Sequence, residues 1–204
     1  MPGADPAAAG RLLTGPGWVA GPDGVRRRGD QPLALTLLFP GDDPAAGPIA
    51  DGLRAQLAAA GVTLRAEGRP AAALLAPDGP ARAGRFDLLL LTLPHGPEPL
   101  PMLRAAFGCY PPTPIARAGP GPFNYGRWCN PDAARWLDLA AGAPDDAARA
   151  DAERGLLAVV AADAPVIPLV VRPGLLAYRA GLHGLAPGRW TPATWNAAVW
   201  WREH

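Results

Sequence analysis

Short apolar runs alternate with helical segments over the first half of this chain. The runs span residues 33–39 (LALTLLF), 62–66 and 88–93 (LLLLTL). Between the first two, Ile49, Leu53 and Leu57 recur at a spacing of four, which predicts one apolar helical stripe over residues 49–60. A weaker helical patch at residues 71–76 precedes the third run. This alternation of strands and helices predicts an α/β fold with parallel strands joined by right-handed crossovers.

The loop after the third apolar run is the first place where such a fold predicts a ligand site. Parallel sheets bind ligands outside the carboxyl ends of their strands. Here that end is residues 92–99 (TLPHGPEP), which are too rich in proline and glycine for a helix or strand. Its polar side chains His95 and Glu98 are candidate ligand-binding residues. The alternative is that both are solvated loop residues.

The second half of the chain is predicted to be helical and then extended. Helices are expected over residues 100–107, 130–141 and 145–162. The second begins with Asn130 as its N-cap and Pro131 at the first helical position. Residues 165–171 predict a strand whose prolines indicate an edge or a strand start. The Pro/Gly-rich connection 108–130 is long for a compact domain, and such loops are often functional, mobile or stapled.

Cys109 and Cys129 bracket this connection, 20 positions apart. A disulfide between them would staple the segment, and two small buried thiols are the alternative. Two cysteines and three distant histidines lack the ligand spacing of a metal site, so no metal is expected. Within the connection, Tyr125 and Trp128 are candidate cleft-lining residues. Packing in the core or at an interface is the alternative for both rings.

Composition excludes several classes of function. The 19 basic residues, all arginine, are balanced by 18 acidic ones, so the basic footprint of a nucleic-acid partner is missing. The chain has no serine, which excludes a serine nucleophile, and no phosphate-binding or dinucleotide glycine motif follows a strand. An enzyme on an α/β scaffold is therefore the less favoured class, and no cofactor is expected. No apolar run reaches the length of a membrane helix, and the first residues lack an export signal.

The order of motifs along the chain points to one family. The segments are AGRLLTGPGW (9–18), DGVR (23–26), LALTLLFP (33–40), IADGLRAQLAAAGV (49–62), RFDLLLLTL (85–93), NYGRWCNPDAARWLDLA (124–140), APVIPLVVRPGLLAYRAGLHGL (164–185) and TWNAAVWW (194–201). This collinear series resembles the C-terminal half of family-5 extracytoplasmic solute-binding proteins, the peptide- and nickel-binding components of ABC importers. In that family two α/β lobes close over a ligand.

The resemblance implies a fold and a role for the chain. Residues 1–185 would be the second lobe of a type II periplasmic-binding-protein fold, α/β with a mixed sheet and flanking helices. Residues 186–204 would pack towards a first lobe that is missing here, as in a truncated or split member. The implied role is non-catalytic capture of a peptide or peptide-like solute, in the periplasm or another extracytoplasmic space, for an ABC permease and ATPase. The alternative is a remnant that folds but does not bind alone.

The resemblance also assigns roles in the site loop. Peptide binders of the family often hold the ligand's α-ammonium with an acidic residue of this loop, and that position falls on His95. Glu98 and Pro99 match an Asp-Pro-like pair that follows a few residues later. A neutral imidazole cannot replace a carboxylate opposite a cation. The change therefore argues against free peptide N-termini as ligands, unless Glu98 takes over the role.

Overall fold

The computed structural model describes residues 5–93, 96–109, 123–172, 175–188 and 191–203. Its contacts divide the chain into two compact units. The first unit comprises Met1–Leu93 and Tyr110–Arg127, and the second comprises Pro94–Cys109 and Trp128–His204. None of the helices in the described ranges is both long and apolar enough to cross a lipid bilayer.

The first unit contains a small antiparallel sheet and a larger parallel one. Its elements are α1 (Pro6–Thr14), β1 (Val19–Ala20), β2 (Arg26–Arg28), β3 (Gln31–Pro32), β4 (Ala34–Pro40), α2 (Ala46–Ala59), β5 (Thr63–Arg69), α3 (Ala71–Leu74), α4 (Pro80–Ala83) and β6 (Leu88–Leu89). Strands β1, β2 and β3 pair antiparallel in chain order. Strand β4 lies between β5 and β6 and is parallel to both.

The central strand β4 is apolar except for Thr36, as expected for a strand with both faces covered. Leu37 and Leu38 point to opposite faces, and each is only 2% exposed. Leu37 packs in a cluster with residues of α2 and β5, whereas Leu38 packs with residues of α3 and α4. A parallel strand covered on both faces has the nearly continuous apolar sequence seen here. The predicted α/β class with flanking helices is confirmed, and the antiparallel pairs lie in small separate sheets.

The strand predicted over residues 88–93 is much shorter than expected. Pairing begins at Asp87, whose backbone N–H donates to Thr36 O at 3.1 Å, and Leu90 N donates to Leu38 O at 2.9 Å. In this register the next bond would need an N–H on Pro40, which proline lacks. The ladder therefore stops, and only Leu88–Leu89 is a strand.

Most of the regular secondary structure in the described part of the second unit is helical. Its elements are α5 (Leu100–Phe107), α6 (Pro131–Ala141), α7 (Asp146–Asp163), β7 (Leu182–His183), a 3-10 turn (Ala197–Val199) and β8 (Trp201–Arg202). Helices α5, α6 and α7 share one apolar cluster, which includes Phe107, Leu137 and Leu156. The predicted N-cap Asn130 is confirmed, because its Oδ1 accepts from Asp132 N at 2.9 Å.

The strand predicted over residues 165–171 is not formed. No described residue pairs with this segment in a β-ladder. Its apolar side chains are exposed, including Ile167 at 71% and Val171 at 73%. An apolar run becomes a strand only when a neighbouring strand supplies backbone hydrogen bonds. The prediction was wrong for this chain because that neighbour is absent from its described residues.

Candidate functional site

The carboxyl ends of β4 and β6 define the edge of the sheet at which a ligand is expected. The two strands are adjacent and parallel, so the segments that follow them leave from the same edge. Residues 41–45 follow β4 and lead to α2, and residues 90–93 follow β6. Side chains at this edge are therefore candidates for ligand contact.

Two carboxylates at this edge were not predicted from the sequence as candidate ligand contacts. Gly41 follows the last residue of β4, and Asp42 and Asp43 come next. Asp42 Oδ1 accepts from Ala71 N at 2.9 Å and so ties the loop after β4 to the start of α3. Asp43 Oδ1 accepts from Ala45 N at 3.0 Å. A Gly-Asp-Asp sequence immediately after a buried strand was the signal that would have identified them.

Of the two candidate residues in the site loop, the structure describes Glu98 but not His95. His95 lies outside the described residues. Glu98 belongs to the second unit, where its Oε1 lies 3.9 Å from Arg149 Nη1. The same guanidinium nitrogen is 3.4 Å from Asp146 Oδ1, in the first turn of α7. The Glu98 carboxylate therefore lies near a positive charge, but its side chain is 57% exposed and water screens the attraction.

Tyr125 is part of the packing of the first unit. It is half-buried against the cluster that contains Leu38 and Leu74. The Arg82 guanidinium carbon lies 5.8 Å from the centre of its ring, within range of a cation–π interaction. The ring thus contributes to the packing of α4 in the first unit.

Trp128 belongs to the second unit and is held at two points. Its ring meets Phe107 edge to face, with ring centres 6.0 Å apart and an interplanar angle of 87°. Its Nε1 donates to Asp163 Oδ2 at 3.1 Å. The side chain remains half-buried, so part of the indole is accessible. The structure thus places Trp128 and Glu98 in one unit and Tyr125 in the other.

A disulfide bond joins Cys109 and Cys129. Their Sγ atoms are 2.12 Å apart and their Cα atoms 4.8 Å apart. Cys109 follows the end of α5, and Cys129 precedes the N-cap of α6. The bond therefore closes the long connection at its base within the second unit. Neither sulfur is available as a free thiol.

Two open hollows lie among the described residues, and neither is lined by Glu98, Tyr125 or Trp128. One hollow of about 610 Å³ lies against α1 and is lined by residues that include Arg11, Thr14 and Arg26. A second of about 610 Å³ lies on α6, beside Arg135 and Asp138. Across the described ranges, no group of three or more His, Cys, Asp or Glu side chains is arranged to hold a metal ion.

Several solved structures have the fold of this chain. NikZ from Campylobacter jejuni, solved in complex with Ni(L-His), matches 96% of this chain with a TM-score of 0.74 and 18% identity. An ABC transporter substrate-binding protein from Sinorhizobium meliloti matches 93% with a TM-score of 0.67 and 21% identity. The oligopeptide-binding protein AppA from Bacillus subtilis, in complex with a nonapeptide, matches 97% with a TM-score of 0.66 and 17% identity.

The match covers only part of each of these proteins. This chain spans 38% of the length of NikZ, 35% of the Sinorhizobium meliloti protein and 37% of AppA. No protein-family model matches the sequence. No curated protein matches it either.

Proposed function

We propose that this chain, which has the fold of one lobe of the family-5 extracytoplasmic solute-binding proteins, captures a small solute for an ABC importer. The solute would be a peptide or a peptide-like molecule, released unchanged to the permease. The observation that carries the proposal is the agreement of nearly the whole chain with one part of these binding proteins. The absence of serine from the sequence supports a role without catalysis.

The proposal includes a first lobe as partner. In support, Val166, Ile167, Leu169, Val170 and Val171 are all exposed, although consecutive residues of an extended segment point to opposite sides. A segment that is apolar on both sides is typical of a strand whose two faces are both covered. We infer that a sheet outside this chain receives it. The Cys109–Cys129 disulfide supports an oxidising, extracytoplasmic location.

The solute-binding residues in this proposal are Glu98 and Trp128 of the second unit. His95 is a further candidate from the sequence, and Tyr125 is a separate candidate in the first unit. Glu98 offers a carboxylate to a cationic group of the solute, and the exposed part of Trp128 offers an apolar surface. The nearby Arg149 reduces the net charge around Glu98. Asp146 is closer to the same guanidinium, so these three side chains together keep one negative charge, which favours a solute with a cationic group.

A thermal-shift screen of the isolated chain tests the proposal. Peptides, nickel complexes and sugars would be added separately, because a ligand that binds only the folded state raises Tm. We expect the peptide class to raise Tm, and the increase to be smaller for Glu98→Gln. Glu67→Gln, which changes an exposed carboxylate on β5, is the matched control and should respond like the unmodified chain.

A remnant that folds without binding is the second candidate. The exposed apolar segment at residues 166–171 favours it, because half of a clamp supplies only half of the contacts to a ligand. No rise in Tm with any of the three classes would support this candidate and contradict solute capture by the isolated chain.

A further inference from the structure

A carboxylate at the end of α7 holds the two residues that flank Cys129. Asp163 is the last residue of α7. Its Oδ2 accepts from Trp128 Nε1 at 3.1 Å and from Asn130 Nδ2 at 2.8 Å. One carboxylate oxygen thus joins two side chains that lie more than 30 positions earlier in the chain.

The position of Asp163 is unfavourable for helix stability taken alone. The C-terminal end of a helix carries partial negative charge, so a carboxylate there is repelled by the helix dipole. The two hydrogen bonds to the charged acceptor offset this repulsion, because charge-assisted bonds are stronger than neutral ones. An acidic residue in this place is explained by what it holds rather than by the helix that carries it.

Three consecutive side chains are anchored to three different helices. Trp128 is bonded to Asp163 at the end of α7, and Cys129 is linked to Cys109 after α5. The Asn130 side chain caps α6 through Asp132 N at 2.9 Å. Since Asn130 also reaches Asp163, the cap and the indole are fixed to the same oxygen.

Two separate contacts therefore fix the orientation of the Trp128 indole. The edge-to-face contact with Phe107 sets the plane of the ring, and the bond to Asp163 sets the direction of its N–H. Turning the ring about its side-chain torsions would break one of the two contacts. Preorganised side chains lose less conformational entropy when a ligand binds.

We propose that Asp163 is a positioning residue of the solute site. It holds the Trp128 indole in one orientation, so that its accessible part forms a fixed apolar wall for the solute. The substrate class that fits such a wall is a peptide with an apolar or flat side chain beside its polar backbone. This inference rests on the proposed function for the contact between Trp128 and the solute, but not for the position of the ring.

The positioning is tested without any ligand, on the full chain labelled with ¹⁵N-tryptophan. Trp128→Phe assigns the Trp128 indole N–H signal among those of the seven tryptophans. Asp163→Ala is expected to move that signal and to speed its hydrogen exchange by about tenfold or more, as for the loss of a bond to a charged acceptor. Asp163→Asn keeps an acceptor oxygen and should restore most of the protection.

The matched control is Asp151→Ala, which removes an exposed carboxylate paired with Arg154 on the same helix. It should leave the Trp128 signal unchanged. An unchanged Trp128 signal in Asp163→Ala would overturn the positioning role. Equal loosening in Asp151→Ala would also overturn it, because the effect would then belong to α7 as a whole.

The second arm adds alanine tri- to pentapeptides that carry one central phenylalanine. In the unmodified chain the peptides should shift the Trp128 signal, and Asp163→Ala should weaken the apparent affinity at least fivefold, with rescue by Asp163→Asn. Loosening of Trp128 in Asp163→Ala without any peptide response in the unmodified chain would uphold the positioning and contradict the ligand role of Trp128. A peptide response of equal affinity in Asp163→Ala would overturn the inference.

Discussion

At the scale of single residues, the starts of α6 and α7 in the second unit depend on capping side chains. Asn130 caps α6 with its Oδ1 and donates from Nδ2 to Asp163 at the end of α7. Asp145 begins α7 in the same way, since its Oδ1 accepts from Ala148 N at 2.8 Å. N-caps of this kind satisfy amides that the first helical turn leaves without partners. Removing one of them leaves the helix start unsatisfied.

Asn130→Ala is expected to destabilise the second unit by about 1–2 kcal/mol, because it removes the cap of α6 together with the bond to Asp163. Urea denaturation followed by circular dichroism measures the loss. Gln56→Ala, at an exposed position on α2, is the control and should stay within about 0.5 kcal/mol of the unmodified chain. Equal stability of the two variants would contradict the role of the cap.

The disulfide makes a second prediction at this scale. Replacing both Cys109 and Cys129 with alanine should lower the free energy of unfolding by about 3 kcal/mol. The reason is that the bond closes a loop between positions 20 residues apart and so restricts the unfolded chain. Adding a reductant should destabilise the unmodified chain by a similar amount and leave the double variant unaffected. Titration of the denatured, unreduced chain should find no reactive thiol, and two would contradict the bond.

At the scale of elements, the clearest predictions came from segments whose local signals agree. The α6 start was predicted because Asn130 and Pro131 are both suited to a helix N-terminus, and β4 because its apolar run is bounded by prolines. Strand β6 was overestimated because the limiting residue, Pro40, lies on the neighbouring strand. The hydrogen bonds that Asp42 and Asp163 form with residues far away in the chain could not be predicted, because no local pattern reveals them.

The packing of α7 gives a matched pair of neighbouring leucines. Leu156 is fully buried, whereas Leu157 on the same helix is 50% exposed. Leu156→Ala should destabilise the second unit by about 2–5 kcal/mol, through lost burial and the cavity left behind. Leu157→Ala should change the free energy of unfolding by less than about 1 kcal/mol in the same urea titration. A similar loss of stability in both variants would contradict the packing of α7 with Leu156 buried and Leu157 exposed.

At the scale of the whole molecule, this chain has the fold of one part of a larger binding protein, and the resemblance seen in its motifs is confirmed at that level. The apolar segment 165–171 was predicted to be a strand, and the structure does not form one there. Its sequence is that of a strand covered on both faces, but no described residue pairs with it in a sheet. The extent of residues 1–185 as a second lobe, with 186–204 directed to the first, remains a prediction.

The exposed segment predicts self-association of the isolated chain. Apolar surface with unpaired backbone groups favours pairing between copies. The double variant Ile167→Glu with Val171→Lys should therefore shift size-exclusion profiles towards monomer. Leu12→Lys, at an exposed position on α1, is the control and should not. A clean monomer of the unmodified chain at both high and low concentration would contradict the prediction.

The most direct test of solute capture is a map of amide chemical-shift changes in the ¹⁵N-labelled chain upon addition of peptides. We expect the shifts to concentrate at Glu98 and Trp128, the two described candidates of the second unit. The antiparallel sheet of β1, β2 and β3 should remain unchanged. Shifts confined to the hollow beside α1, or no shift with any peptide that raises Tm, would contradict the proposed site.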